Sequence, residues 1–264
     1  SSKHQLKNPW LLNFILGLVI TLCIIPIAIV NGIEWPSHWG VLWLAGLFSA
    51  IAGTLYVLAM YKLDISILSP LYSFRVAFSI LLGMVFFGEQ LTVQQMLFVS
   101  VIFVAGLFVS VDEHLSIRSV FKPATALALC AVLASAIYSA TIKNAMQVEG
   151  FWEVTMWNNI LSMVILLGTV PLFWSDLQRV HIKNYTGIVL SAFAYTAGSL
   201  TANMAYAINI GLSSAILSVP MSMMMAVVFS LIAPKLLEKH VPKIYAIRIS
   251  AAAVMVWAAL GLST

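Results

Sequence analysis

Arg75 is the residue whose position in the sequence most strongly predicts a chemical role. It lies ten residues after Ile65 and twelve before Phe87, within a largely apolar run, so helical rise places it about 15 Å from either end. Its side chain cannot snorkel that far, and a central arginine costs at least about 2.5–3.5 kcal/mol on insertion scales. Two interpretations stay open: the guanidinium holds helix ends or loop carbonyls, or it binds an anionic group of a ligand.

Other polar and aromatic residues within apolar runs are further candidates for binding. Spacings of three and four place Tyr72, Arg75 and Ser79 on one helical face, and Asn203 and Tyr206 share another. Buried amides need a neighbouring helix or a ligand as partner. Singly, each residue is explained by an interhelical hydrogen bond; together they favour a central cavity. The candidate substrate-binding residues are Ser69, Tyr72, Arg75, Tyr138, Trp157, Asn158, Asn203, Tyr206 and Ser218.

Acidic and histidine side chains are absent from the centres of the apolar runs. All nine carboxylates and all five histidines lie in loops or at the ends of runs. The sequence therefore predicts no catalytic residue and no metal site, and it disfavours an enzyme. A proton-coupled cation exporter is disfavoured for the same reason, unless a helix before residue 1 carries the acid.

The composition requires lipid as the outer solvent. Of 264 residues, 62% are hydrophobic and 8% are charged, with a mean hydropathy of +1.02. A soluble domain carries roughly a quarter charged residues. The continuous runs favour helices over β-strands, so we predict an all-α polytopic membrane protein. The nine predicted spans are 9–31, 39–61, 65–87, 93–111, 124–142, 154–174, 185–208, 212–233 and 244–262.

Loop charges predict the orientation. Ten Lys and Arg residues fall on the side of the amino terminus and only Lys143 on the other. The positive-inside rule then makes residues 1–8 cytoplasmic in a multi-pass protein of the plasma (inner) membrane. The net charge of +4 reflects these loops, and we predict no nucleic-acid partner.

An internal repeat links the two halves of the chain. A shift of 149 residues aligns 63–89 with 212–238 at eight identities over 27 positions. The matched spans are five crossings apart, so they run in opposite directions, as in many secondary transporters. We predict two inverted five-helix repeats, 1–115 and 116–264, with the first helix of the first repeat expected before residue 1.

The repeat carries a proline in each copy. "ILSPLYSFR" contains Pro70 and "ILSVPMSMM" contains Pro220. Each proline removes a helical hydrogen bond and frees a carbonyl, which must find protein or water within a membrane. We therefore predict helix bends at both positions, with Ser69 and Ser218 turned towards the cavity.

The stretch "LDISILSPLYSFRVAFSILLGMVFFGEQLTVQQMLFVSVIFVAGLFVSV" resembles the EamA-type branch of the drug/metabolite transporter superfamily. Small residues and a proline precede a Gly-Glu-x-Leu-Thr turn, here Gly88, Glu89, Leu91 and Thr92. The second copy has Lys239, His240 and Val241 where that turn would continue. The resemblance implies a ten-helix, inverted-repeat transporter of small metabolites without a prosthetic group. Members are usually drawn with both ends cytoplasmic, which would place residues 1–8 outside; the charge count favours the opposite.

The expected function is secondary transport of small metabolites by alternating access. An amino-acid-like or other carboxylate-bearing solute is favoured, with Arg75 holding the carboxylate and Tyr72, Tyr138 and Tyr206 enclosing the apolar part. The alternatives are a transporter of quaternary amines such as choline, held by aromatic faces, and a non-transporting membrane receptor or subunit. The expected partners are the substrate and the lipid bilayer; a coupling ion stays open.

Overall fold

The structure is all-helical in the residues that it describes. The computed structural model describes residues 6–63, 67–68, 71–72, 74–87, 92–109, 122–177, 186–208 and 242–262. A short 3₁₀ turn, Val170–Leu172, lies between α6 and α7. The helices are α1 (Pro9–Val30), α2 (Trp39–Lys62), α3 (Phe74–Phe87), α4 (Val93–Val109), α5 (Pro123–Val148), α6 (Phe151–Leu167), α7 (Trp174–Leu177), α8 (Thr186–Ile208) and α9 (Pro242–Leu262).

The predicted all-α membrane fold is confirmed. Four of the described helical segments are long and apolar enough to cross a membrane. Shorter apolar helices lie within α4, α6 and α9. The predicted span 212–233 lies outside the described residues. The four long segments are Pro9–Val30, Trp39–Lys62, Pro123–Val148 and Gly187–Ala205.

Three spans differ clearly from their predicted bounds, and one of them, predicted as 124–142, extends as α5 to Val148. The span predicted as 65–87 is interrupted: Ile67, Leu68 and Leu71 are helical, Tyr72 lies in a turn, and α3 begins at Phe74. The span predicted to reach residue 174 ends at Leu167, where Gly168 caps the helix. Pro171, which cannot continue an α-helix, follows in the 3₁₀ turn.

The chain divides into two compact units. Unit one contains residues 1–61 and 137–208, and unit two contains residues 62–136 and 209–264. Each unit therefore takes residues from both predicted repeats. The repeat boundary at 115/116 and the inverted symmetry stay predictions, since the second copy, 212–238, lies outside the described residues.

Unit one is built around α1, which packs against α6 and α8. Its apolar side chains include Ile24 and Met156, which lie in one buried cluster. The ends of the helices are tied by hydrogen bonds: Asn8 Nδ2 donates to Asp176 Oδ2 (2.6 Å), and the Tyr61 hydroxyl donates to the carbonyl of Leu6 (2.6 Å).

A close approach between α2 and α6 depends on a glycine. A Cβ atom at Gly46 would lie 2.8 Å from the Cβ of Leu161 and 3.2 Å from the backbone nitrogen of Ser162. Real Cβ atoms do not approach other atoms so closely, so only glycine fits here. The contact fixes α2 against the part of α6 that follows Asn158.

Unit two contains a packed pair of helices, α4 and α9. The rings of Phe98 and Trp257 meet edge to face, with centroids 5.4 Å apart. A Cβ at Gly261 would lie 2.5 Å from the ring of Phe98. A second small-residue contact therefore sets the spacing of this pair.

Candidate functional site

Arg75 and Tyr72 lie in unit two, at the start of α3. Arg75 is the second residue of that helix, and its backbone N–H donates to the carbonyl of Tyr72 (3.0 Å). Its Nε atom is buried. The Tyr72 hydroxyl lies 3.2 Å from the Oγ of Ser135, with either atom able to donate. Because the helix starts at Phe74, Tyr72 precedes it, and the predicted single helical face does not include Tyr72.

The electrostatics of this position favour an anion. The first turn of a helix presents backbone N–H groups and the positive end of the helix dipole. Arg75 adds a full positive charge to the same turn of α3. Ser79 lies one turn further on, and its buried hydroxyl has no hydrogen-bond partner among the described residues. A carboxylate would match this combination of charge and donors.

A second group of candidates lies together in unit one. The amide of Asn158 on α6 donates to the Tyr138 hydroxyl on α5 (3.3 Å). Asn158 is 1% exposed, and so is Thr155, one turn earlier on the same helix. The Oδ1 of Asn158, the Oγ1 of Thr155 and the Nε1 of Trp157 are buried without a hydrogen-bond partner among the described residues. The sequence pointed to Asn158 and Trp157 but missed Thr155, although spacing of three puts it on the face of Asn158.

Trp157 belongs to a cluster of three tryptophans. Its ring centroid lies 5.2 Å from that of Trp35 and 4.9 Å from that of Trp39, both in edge-to-face geometry. The rings of Trp35 and Trp39 are 5.4 Å apart. From the sequence alone, these two residues have the positions of interfacial anchors, because they lie near span ends. Their contact with a candidate binding residue arises from folding of the α1–α2 connection, residues 31–38, over α6.

The remaining candidates are described only in part. Asn203 is buried on α8, at 4% exposure. Tyr206 belongs to the same helix, but its side chain lies outside what is described. Ser69, Pro70, Ser218 and Pro220 lie outside the described residues, so the predicted bends and their serines stay predictions. Among the described residues, no three His, Cys, Asp or Glu side chains are grouped to hold a metal ion.

Comparison with known proteins gives the family of the amino-terminal part. A family model described as the EamA-like transporter family matches residues 2–111. Residues 2–111 are EamA-like. The resemblance found in the residues around Gly88 and Glu89 is thereby confirmed. The EamA-like match and the apolar helices together indicate an integral membrane protein.

Solved structures extend the likeness in fold beyond the EamA-like residues. Twenty-two chains of solved structures match. One, a crystal structure described only as that of a protein, superposes with a TM-score of 0.59 at 15% sequence identity. The alignment covers 93% of this chain and 86% of the other. At that identity the likeness shows the fold alone. No curated protein matches the sequence.

Two carboxylates hold the α1–α2 connection, which lies within the EamA-like residues. One oxygen of Glu149, in the α5–α6 turn, accepts from the backbone N–H groups of Ser37 (2.8 Å) and His38 (2.6 Å). It also lies 2.9 Å from Nδ1 of His38. Glu153, in the first turn of α6, accepts from the backbone N–H of Glu34 (3.0 Å). We call this set of bonds the carboxylate clamp; it fixes the connection that carries Trp35.

The carboxylate clamp is expected to make stability depend on pH. Burial acts to raise the pKa of Glu149, but hydrogen bonds from the backbone and ring of His38 and from Ser37 outweigh it and hold the pKa below its usual 4.5. A depressed folded-state pKa stabilises the fold above 4.5, and this contribution is lost as pH falls through the lower, folded value. We expect Glu149→Gln to lower the unfolding temperature at pH 7, and the difference from the unmodified protein to disappear on acidification below 4.5.

Thermal unfolding of the purified protein across this pH range measures the effect. The difference between the two proteins is the relevant quantity, because it cancels the titration of all other groups. A difference that stays constant down to pH 3 would show that Glu149 does not act through its charge.

Proposed function

We propose that this protein is a secondary transporter of carboxylate-bearing small solutes, amino acids among them, and that it works by alternating access. The EamA-like match supports transport of small solutes. The observation that carries the carboxylate assignment is the start of α3 at Phe74, which puts Arg75 in the first turn of a helix. Discontinuous helices with their positive ends towards anionic groups are a recurring device in transporters.

The physical argument rests on charge and geometry at one place. The guanidinium of Arg75 offers a planar fork of N–H donors that matches a carboxylate in a bidentate way. Its buried Nε lies in surroundings of low dielectric constant, where such a pair is stronger than in water. The positive end of the α3 helix dipole adds in the same sense. Tyr72 and Ser135 provide hydroxyls in the same unit, suited to hydrogen bonds with the solute.

Counterflow in proteoliposomes tests this function without requiring the driving ion or direction. We expect vesicles preloaded with an unlabelled L-amino acid to accumulate the labelled form transiently, and the matching amino-acid amide, which lacks the carboxylate, to compete poorly. Empty vesicles are the control. Equal competition by acid and amide would remove the carboxylate assignment. Absence of flux for every amino acid and simple carboxylic acid would favour the non-transporting receptor or subunit.

Quaternary amines, the alternative substrates predicted from the sequence, have less support. Aromatic faces bind such cations. The rings of Trp35, Trp39 and Trp157 are in mutual contact at 4.9–5.4 Å, which leaves no space for a guest between them. The positive charge of Arg75 in unit two also opposes cations there. Competition of choline with amino acids in the same counterflow assay separates the two candidates.

A further inference from the structure

The middle of α6 holds buried polar atoms that the protein itself does not satisfy. In α6, Oδ1 of Asn158, Oγ1 of Thr155 and Nε1 of Trp157 are buried without a hydrogen-bond partner among the described residues. They fall within four consecutive positions of one helix. Buried polar side chains are nearly always hydrogen-bonded, so three exceptions this close together need an explanation.

The adjacent Asn159 shows that an asparagine in this helix does not have to lack hydrogen-bond partners. Asn159 donates from its amide to the carbonyl of Thr155 (2.8 Å), as polar side chains in helices commonly do. Asn158 instead reaches across to the Tyr138 hydroxyl and leaves its second polar atom unpaired. If the nitrogen and oxygen of the Asn158 amide were exchanged, one of them would still lack a hydrogen-bond partner, because only one of the two faces Tyr138.

The unpartnered atoms define the chemistry of a ligand. The indole N–H of Trp157 requires an acceptor, the Oδ1 of Asn158 requires a donor, and the Thr155 hydroxyl accommodates either. The three residues that carry these atoms are uncharged, and Asn158 and Thr155 are each 1% exposed. They would give a buried ionic group no counter-charge, and burying an unpaired charge is costly. An uncharged group with one donor and one acceptor fits, and a carboxamide or peptide-type amide is such a group.

We propose that α6 of unit one carries a binding site for an uncharged amide group, with Asn158 and Trp157 as its hydrogen-bonding residues. This site is distinct from the residues around Arg75. It rests on the proposed function only in that the ligand is taken to be a transported solute. A buried water molecule would satisfy the same atoms, and this is the competing outcome of the test.

Binding of N-acetylated amino-acid amides to the purified full chain tests the proposal. These probes are neutral and lack a carboxylate, so the result does not depend on Arg75. We expect at least one member of an apolar series to bind, as measured by calorimetry and by a ligand-dependent rise in unfolding temperature. Asn158→Leu should weaken binding about fivefold or more, which corresponds to one lost hydrogen bond.

The neighbouring asparagine supplies a matched control. Asn159→Leu removes an amide of the same size whose bond lies within α6, and we expect unchanged affinity. Trp157→Phe keeps an aromatic ring without the N–H, and it should weaken binding even if Asn158→Leu fails to fold. The proposal is overturned if no probe binds the unmodified protein, as expected for a water-filled position, or if Asn158→Leu and Trp157→Phe bind as tightly as Asn159→Leu. Amino-acid counterflow could persist in either case, so the proposed function would stand independently.

Discussion

Arg75→Ala is expected to reduce amino-acid counterflow by at least about tenfold. A charge-assisted hydrogen bond contributes about 1.5–3 kcal/mol, and each 1.4 kcal/mol is a factor of about ten. Arg75→Lys keeps the charge but loses the planar fork, so it should retain an intermediate activity. Initial rates of counterflow, normalised to the amount of protein incorporated into the vesicles, measure the effect.

A second arginine within a predicted span provides the control for Arg75. Arg248 lies only four residues into the last span, and the sequence predicts that it reaches the headgroups. Arg248→Gln should leave counterflow unchanged. If the Arg75→Ala protein transports as well as the Arg248→Gln protein, the guanidinium of Arg75 binds helix ends or loop carbonyls and not the solute. The carboxylate assignment then fails.

Gly46→Ala is expected to destabilise the protein although alanine favours helix. The exchange improves helix propensity by up to about 1 kcal/mol, but the new Cβ would meet Leu161 Cβ at 2.8 Å and Ser162 N at 3.2 Å. These atoms lie on or next to the backbone of α6, so they cannot rotate away. Overpacking of this kind costs about 1–3 kcal/mol and occasionally more. The unfolding temperature in detergent should therefore fall.

Gly53, also on α2, provides the control substitution for Gly46→Ala. A Cβ at Gly53 would lie 3.6 Å from Asn13 Oδ1, an ordinary contact distance. Gly53→Ala should therefore be neutral or stabilising. If both variants unfold at the same temperature, α2 and α6 do not approach as closely as the structure indicates. Because Gly46 also faces the backbone of Asn158 at 3.4 Å, binding of amide probes should weaken together with stability.

Hydrophobicity and charge were sufficient to predict the helices but not their junctions. Runs of apolar residues identify spans because length and composition decide membrane insertion. Periodicity does not reveal where a helix starts anew within such a run. The bend predicted at Pro70 indicated a disturbance nearby, but the sequence did not predict the turn at Tyr72 or the start of α3 at Phe74. Arg75, predicted at the middle of a span, therefore lies in the first turn of α3.

Contacts between residues far apart in the chain also could not be predicted from the sequence. Asn158 and Tyr138 were both candidates, but their hydrogen bond depends on how α5 and α6 pack. Trp35 and Trp39 have the sequence signature of interfacial tryptophans, and nothing local distinguishes that role from contact with Trp157. Glu149 likewise reads as a solvated loop residue until the α1–α2 connection folds onto it.

The carboxylate clamp recognises main chain more than side chains. Glu149 and Glu153 bind N–H groups at positions 34, 37 and 38, and every amino acid except proline supplies such a group. Residues 34 and 37 contribute only their N–H groups to the clamp, so their identities can change while the connection keeps its path, whereas His38 also contacts Glu149 through its ring. In related chains, we therefore expect conservation at Glu149 and Glu153 to be stronger than at most positions of the α1–α2 connection.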